Sequence, residues 1–218
     1  MKSRHLIAIL SIFLFSSCIV KSIQPFYVSQ ALEYNVALKG EWTDNKKGAW
    51  EIISFKEVWE KDNDPNVSLS KEDKDAYNRY KEGYFVKYTK KETEASFIAM
   101  PFKVNDHIFL DFTPFEYDSD ELNGLLGQHL LKTHSVAQVN FNNDEITLKW
   151  LSEKAIKSLI KNNRLRIKHE KIGIDQDLVL TASSQELYQF LEKFTVSDFE
   201  EKWDNDDIYK LRPADAKP

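Results

Sequence analysis

Cysteine and glycine are both scarce in this chain: one cysteine, Cys18, and six glycines in 218 residues. A single thiol excludes an internal disulfide, a zinc site built from several cysteines and an iron–sulfur cluster. The few scattered glycines form no Gly-x-Gly-x-x-Gly, no phosphate-cradling loop and no Gly-x-Ser-x-Gly elbow. A basic surplus is missing as well, since 30 Lys and Arg face 35 Asp and Glu. Nucleic acid, which wants a basic stripe, is therefore not an expected partner. Long apolar runs occur in one place only. Lys2 and Arg4 precede residues 6–20, which carry no charge. That stretch is shorter than the roughly 20 residues a helix needs to cross a bilayer core, and it has the layout of a secretory signal.

The uncharged run ends on Phe15-Ser16-Ser17-Cys18, which resembles the lipobox of bacterial lipoproteins. The resemblance implies a diacylglycerol on the Cys18 sulfur, residues 1–18 as the lipoprotein signal, and the membrane as a partner through that lipid. Two or three acyl chains on one residue anchor a protein far more firmly than a single reversible chain. No aspartate follows Cys18, so the implied address is the outer membrane of a bacterial envelope, with either face open. Residues 19–30 are then expected to be a tether. Loss of Lys2 and Arg4 with the signal leaves 28 cations against 35 acids, a formal charge of −7.

With 14 Phe, nine Tyr and five Trp, the remainder can build one sizeable core, expected over residues 31–212 with 213–218 as a disordered tail. Apolar residues alternate at Tyr84, Val86 and Tyr88, at Ile98, Met100, Phe102 and Val104, and at Ile108, Leu110 and Phe112. A period of two indicates half-buried strands, and Asn105-Asp106 supplies a hairpin turn. A second hairpin runs over 135–150 about Asn142-Asn143-Asp144, and further strands are expected at 38–43, 49–56, 165–171 and 177–181. Two short helices interrupt this pattern. Ser152 caps one over about 152–163, and Ser183-Ser184-Gln185-Glu186 is a capping box opening another over about 183–194. Residues 57–82 hold eight acids and five cations around Trp59, Tyr77 and Tyr80. They are expected as a solvated loop with a short helix near 71–80, or as a lid. The fold expected is mostly β, an antiparallel barrel or strongly curved sheet of about eight or nine strands with two packed helices; an α+β sandwich is the alternative.

Gly40-Glu41-Trp42 at the first strand resembles the Gly-x-Trp signature of the lipocalin family, in which the tryptophan plugs the closed end of a small barrel and a helix follows the last strand. The stretches FLDFTPFE (109–116), HSVAQVNF (134–141) and LTASSQELYQFLEK (180–193) are similar to a group of bacterial lipoproteins of this layout to which no activity is assigned. Together these imply a lipocalin-like domain without catalysis that binds a small apolar ligand or a protein partner, with Trp42, Trp50 and Tyr84 as candidate ligand-facing residues and no cofactor. A rival reading is a hydrolase that uses the carboxylates of Asp111 and Glu116 with His134 nearby. A metal site is not expected. His129 and His134 lack the i, i+4 spacing, and the stretches from Asp62 and from Asp118 have neither the glycine nor the glutamate of a calcium loop.

Overall fold

A computed structural model describes residues 19–63, 68–116, 127 and 129–214. Residues 1–18, on which the expected signal and Cys18 fall, Asp64, Asn66 and the Asp118-Ser119-Asp120 stretch lie outside the described residues. Eight strands close into an antiparallel barrel, the lipocalin-like architecture. In chain order, a two-residue strand β1 (Lys21–Ser22) is followed by β2 (Gly40–Asp44), β3 (Gly48–Ser54), β4 (Tyr84–Lys90), β5 (Thr93–Val104), β6 (His107–Glu116), β7 (Ser135–Asn142) and β8 (Glu145–Trp150). From β2 to β8 the barrel strands form a continuous meander. The chain then leaves the barrel for the hairpin of β9 (His169–Ile172) and β10 (Asp177–Leu180) and returns as β11 (Tyr209–Pro213). Leu211 of β11 pairs with Asp44 on one side and Ile146 on the other, which closes the ring. Four helices lie among the described residues: α1 (Phe55–Asp62), α2 (Lys71–Tyr80), α3 (Glu153–Lys161) and α4 (Ser184–Thr195).

The period-two pattern divides the apolar side chains between the two faces of the barrel wall. Trp50, Tyr84, Ala99, Leu110, Ala137, Leu148 and Leu211 come from seven different strands and meet in one buried cluster, so they fill the interior. Aromatic rings take up most of the space there. Trp50 packs at 4.6 Å from Tyr88 and 5.4 Å from Tyr209, and Phe112 at 5.0 Å from Trp150. Gly48 is glycine because a Cβ there would stand 2.3 Å from the Tyr88 ring. Gly40 has a φ of +138°, which side chains rarely adopt, and the Trp42 ring folds over it. The opposite face of β5, β6 and β7 presents Phe102, Phe109 and Val136 to a second cluster, which receives Ile156 of α3 and Leu187 and Leu191 of α4. Helix α4 starts as its capping box requires: Ser183 Oγ accepts from Glu186 N at 3.3 Å while Glu186 Oε2 accepts from Ser183 N at 2.9 Å.

Several expectations are corrected. Residues 19–30 are not a free tether, because Val20, Ser22 and Phe26 are wholly buried and β1 pairs with β10. The apolar side chains of this strap join the outer cluster, and that burial outweighs the entropy of a loose chain. Pro213 and Ala214 do not begin the tail, since Pro213 pairs with Trp42 and Ala214 N donates to Glu41 O at 3.0 Å. Residues 165–168 belong to no strand until β9 begins at His169, although Lys168 O accepts from Thr181 N at 2.9 Å. The charged segment after β3 forms α1 and α2, whose Trp59, Tyr77 and Tyr80 pack around the buried Phe55.

The filled barrel has a titration signature. Burial, and after it the Asp44 carboxylate, pushes the Tyr88 hydroxyl from the ordinary tyrosine value of 10 up to about 12, and burial with the adjacent Tyr88 does the same to Tyr209. A raised folded-state value contributes stability that is complete below pH 10 and is lost as pH rises through about 12. Melting temperature should therefore fall over that window, with phenolate absorbance of these two rings appearing late, and Tyr88→Phe should make the fall shallower. Tyrosines that all titrate as exposed phenols would contradict the packing.

Candidate functional site

The ligand-facing candidates expected from the sequence are part of the barrel itself. Trp50 is 5% exposed and its indole N–H donates to Asp44 Oδ2 at 2.8 Å. Tyr84 is fully buried; its hydroxyl donates to Asn35 O and accepts from Asn35 N, both at 2.8 Å. Trp42 is half-buried at the edge of the inner cluster and donates to Leu38 O at 3.1 Å. The polar tip of each is thus taken by the protein, and Trp50 and Tyr84 belong to the buried core.

Asp111 and His134 do meet. His134 Nδ1 lies 2.6 Å from Asp111 Oδ1 and 2.8 Å from Thr113 Oγ1, and Asp111 Oδ2 accepts the Phe26 N–H at 2.7 Å. Asp111 is wholly buried. Burial pushes its carboxyl above the ordinary carboxylate range, and the hydrogen bond from His134 opposes that rise. The His134 backbone joins the same knot, exchanging N–H···O bonds with Ser22, each 2.9 Å. A hydrolytic triad sets its carboxylate on Nδ1 and its nucleophile on Nε2. Here carboxylate and hydroxyl share Nδ1. Along the backbone of β6, Glu116 lies five residues beyond Asp111, roughly 16 Å at about 3.3 Å per residue, whereas glycosidase carboxyls stand closer together. The geometry is that of a clasp that fastens the strap to the barrel wall. His129 is exposed, and among the described residues no three His, Cys, Asp or Glu gather as a metal would need.

A different part of the surface has the shape of a binding site. A groove of about 610 Å³ runs between α4 and segment 164–168, within the range of small-molecule sites. Its floor is apolar. Phe190 and Phe194 stack at 5.0 Å on α4, one turn apart, and Leu159, Leu165 and Ile167 face them. Its rim is basic, with Arg164, Arg166, Lys168 and Lys193 against the single carboxylate of Glu186. Lys168 Nζ lies 3.7 Å from that carboxylate, and the Arg164 guanidinium stands 5.9 Å over the Phe199 ring. This is a local reversal of sign in an acidic chain. The two sides arise from local pattern: α4 carries its apolar stripe at i, i+3, i+4, and in segment 164–168 cations alternate with Leu165 and Ile167. That alternation was the available signal for the site, although the same period equally describes a strand. A second groove of about 710 Å³ on β7, β8 and β11 is lined mainly by polar side chains such as Gln138, Asn140 and Lys149, and lacks an apolar floor.

No family model, no curated protein and no solved structure matches the chain. No helix among the described residues is long and apolar enough to cross a membrane. The barrel wall is apolar inside and carries Glu41, Glu51 and Lys87 outside on β2, β3 and β4, the reverse of a barrel that faces lipid.

If Asp111 is the clasp, Asp111→Ala should cost about 3 to 5 kcal/mol, as loss of one partner from a buried pair does, read as a lowered urea midpoint. Amide exchange should speed up first in residues 20–27. A loss below about 1 kcal/mol, in the range of an exposed pair, would contradict that role.

Proposed function

We propose that the protein is a lipid-anchored binding protein of the bacterial envelope that holds an amphiphile with an acidic head group, such as a fatty acid, in the groove beside α4. The observation that carries this reading is the pairing of an apolar floor with four rim cations around about 610 Å³. An acyl chain on Phe190, Phe194 and Leu165 is removed from water at about 25 cal/mol per Å², and a carboxylate or phosphate at the rim meets Arg166, Lys168 or Lys193. The barrel is the scaffold and not the container, because its interior is occupied by its own side chains. The anchor is supported by the apolar run that ends at Cys18. A catalytic role has less support, since the Asp111–His134 pair is directed at the strap, where Asp111 accepts the Phe26 N–H.

Thermal shift with dodecanoate and dodecanol tests the reading. Dodecanoate should stabilise the protein by about 2.7 kcal/mol at a hundred times its dissociation constant. Joint Arg166→Glu and Lys168→Glu reversal should weaken dodecanoate by about tenfold or more and leave dodecanol nearly unchanged. Equal binding of the acid and the alcohol, or indifference to the reversal, would contradict it.

A further inference from the structure

We infer that the tip of the β9–β10 hairpin is a second membrane contact, inserting Ile172 and Ile174 into the bilayer interface beside Cys18. The inference rests on the anchor reading above, and its geometry comes from the strap. Strand β1 runs parallel to β10, with Lys21 opposite Val179 and Ser22 opposite Leu180. In a parallel pair both chains advance in the same direction, so the residues before Lys21 point toward the start of β10, where the turn lies. The ion pair between Lys21 Nζ and Asp177 Oδ2, at 2.8 Å, holds the strap against that end. Ile19, the first described residue, is bridged to Ser152. The chain therefore enters the described fold at the hairpin's turn end, one residue after the position that the anchor reading acylates.

The turn region carries exposed isoleucines beside its polar Asp175 and Gln176. Ile174 is 100% exposed and Ile172 is 48% exposed, on either side of Gly173. One exposed isoleucine is common on any surface. Two at the tip of a hairpin, at the end where an acyl chain departs, are placed for lipid. Lys171 and Lys154 are exposed on the elements nearby, Glu170 and Asp175 oppose them, and Asp177 is engaged by Lys21. With the charges near balance, insertion of the side chains drives the contact. Two isoleucines would hold a free protein weakly, but beside an anchor the contact is intramolecular and its effective concentration high. Two attachments fix the orientation of the body, and Lys168 on the groove rim stands at the other end of β9 from the tip.

The test uses the full acylated protein in vesicles of phosphatidylethanolamine and phosphatidylglycerol, with a nitroxide on Ile174→Cys. The reference label is on Asp144→Cys, in the β7–β8 turn at the opposite end of β8 from Ser152. The label at 174 should be about fivefold less accessible to a water-soluble relaxant than the label at 144, as immersion in the interface requires. Equal accessibility overturns the inference. Wild-type protein carried through the same labelling reports on the anchor separately. If Cys18 itself takes the label, the anchor reading fails, and the tip is then judged on Cys18→Ser protein, where Ile174→Asp must lower vesicle binding about threefold or more; no loss there overturns the inference. A label at 174 already shielded in Cys18→Ser protein without vesicles means that a second copy covers the tip, which also overturns it.

Discussion

The Asp111 carboxylate lies in the outer wall of the barrel with no exposed surface, and its two oxygens are engaged by segments 85 and 23 residues away in sequence. A buried carboxyl without partners would cost several kcal/mol. Here one oxygen takes the Phe26 N–H and the other the His134 ring. That arrangement determines how the strap lies across the barrel. Once Phe26 is fixed there, Ser22 pairs with His134, Ile23 N reaches Leu180 O and Lys21 reaches Asp177. The β9–β10 hairpin is thus joined to the barrel through the strap, and the point where the strap enters the fold follows from one carboxylate.

The second constraint is volume. Eight strands leave an interior just wide enough for side chains or one small ligand, and three tryptophans' worth of aromatic wall decides between them. Trp50, Trp150 and the partly buried Trp42 share the space with Tyr84, Tyr88, Phe112 and Tyr209. Among the described residues the filling leaves two visible costs, the Trp150 indole N–H and the Tyr88 hydroxyl, both buried without a hydrogen-bond partner. The proposed binding surface accordingly lies outside the barrel, in the groove between α4 and segment 164–168. The proposed ligand site is a property of the elements inserted between β8 and β11.

Much of the barrel was legible because its signals are local. Tyr84, Val86 and Tyr88 alternate cleanly, Asn105-Asp106 and Asn142-Asn143-Asp144 turn the chain, and Ser183 with Glu186 announces α4. Strand β11 was not legible, for its five residues place only Tyr209 and Leu211 inward, and its partners on β2 and β8 lie far away in sequence. The strap was mistaken for a tether for the same reason. Val20, Phe26 and Tyr27 are greasy for a linker, but the group that secures them is Asp111. Whether a barrel is filled depends on side-chain volumes summed over eight strands, which no window of sequence displays. Trp50 and Tyr84 therefore read equally as ligand contacts and as core. The basic rim was hidden by overall charge, since four local cations vanish in an acidic total.

A crystal structure of the protein with dodecanoate tests most directly the claim that binding occurs on the outside of a filled barrel. The account predicts the alkyl chain on Phe190 and Phe194, its carboxylate within reach of Arg166, Lys168 or Lys193, and Trp50, Tyr84 and Phe112 in place. Dodecanoate inside the barrel, with those rings displaced to admit it, would contradict the account.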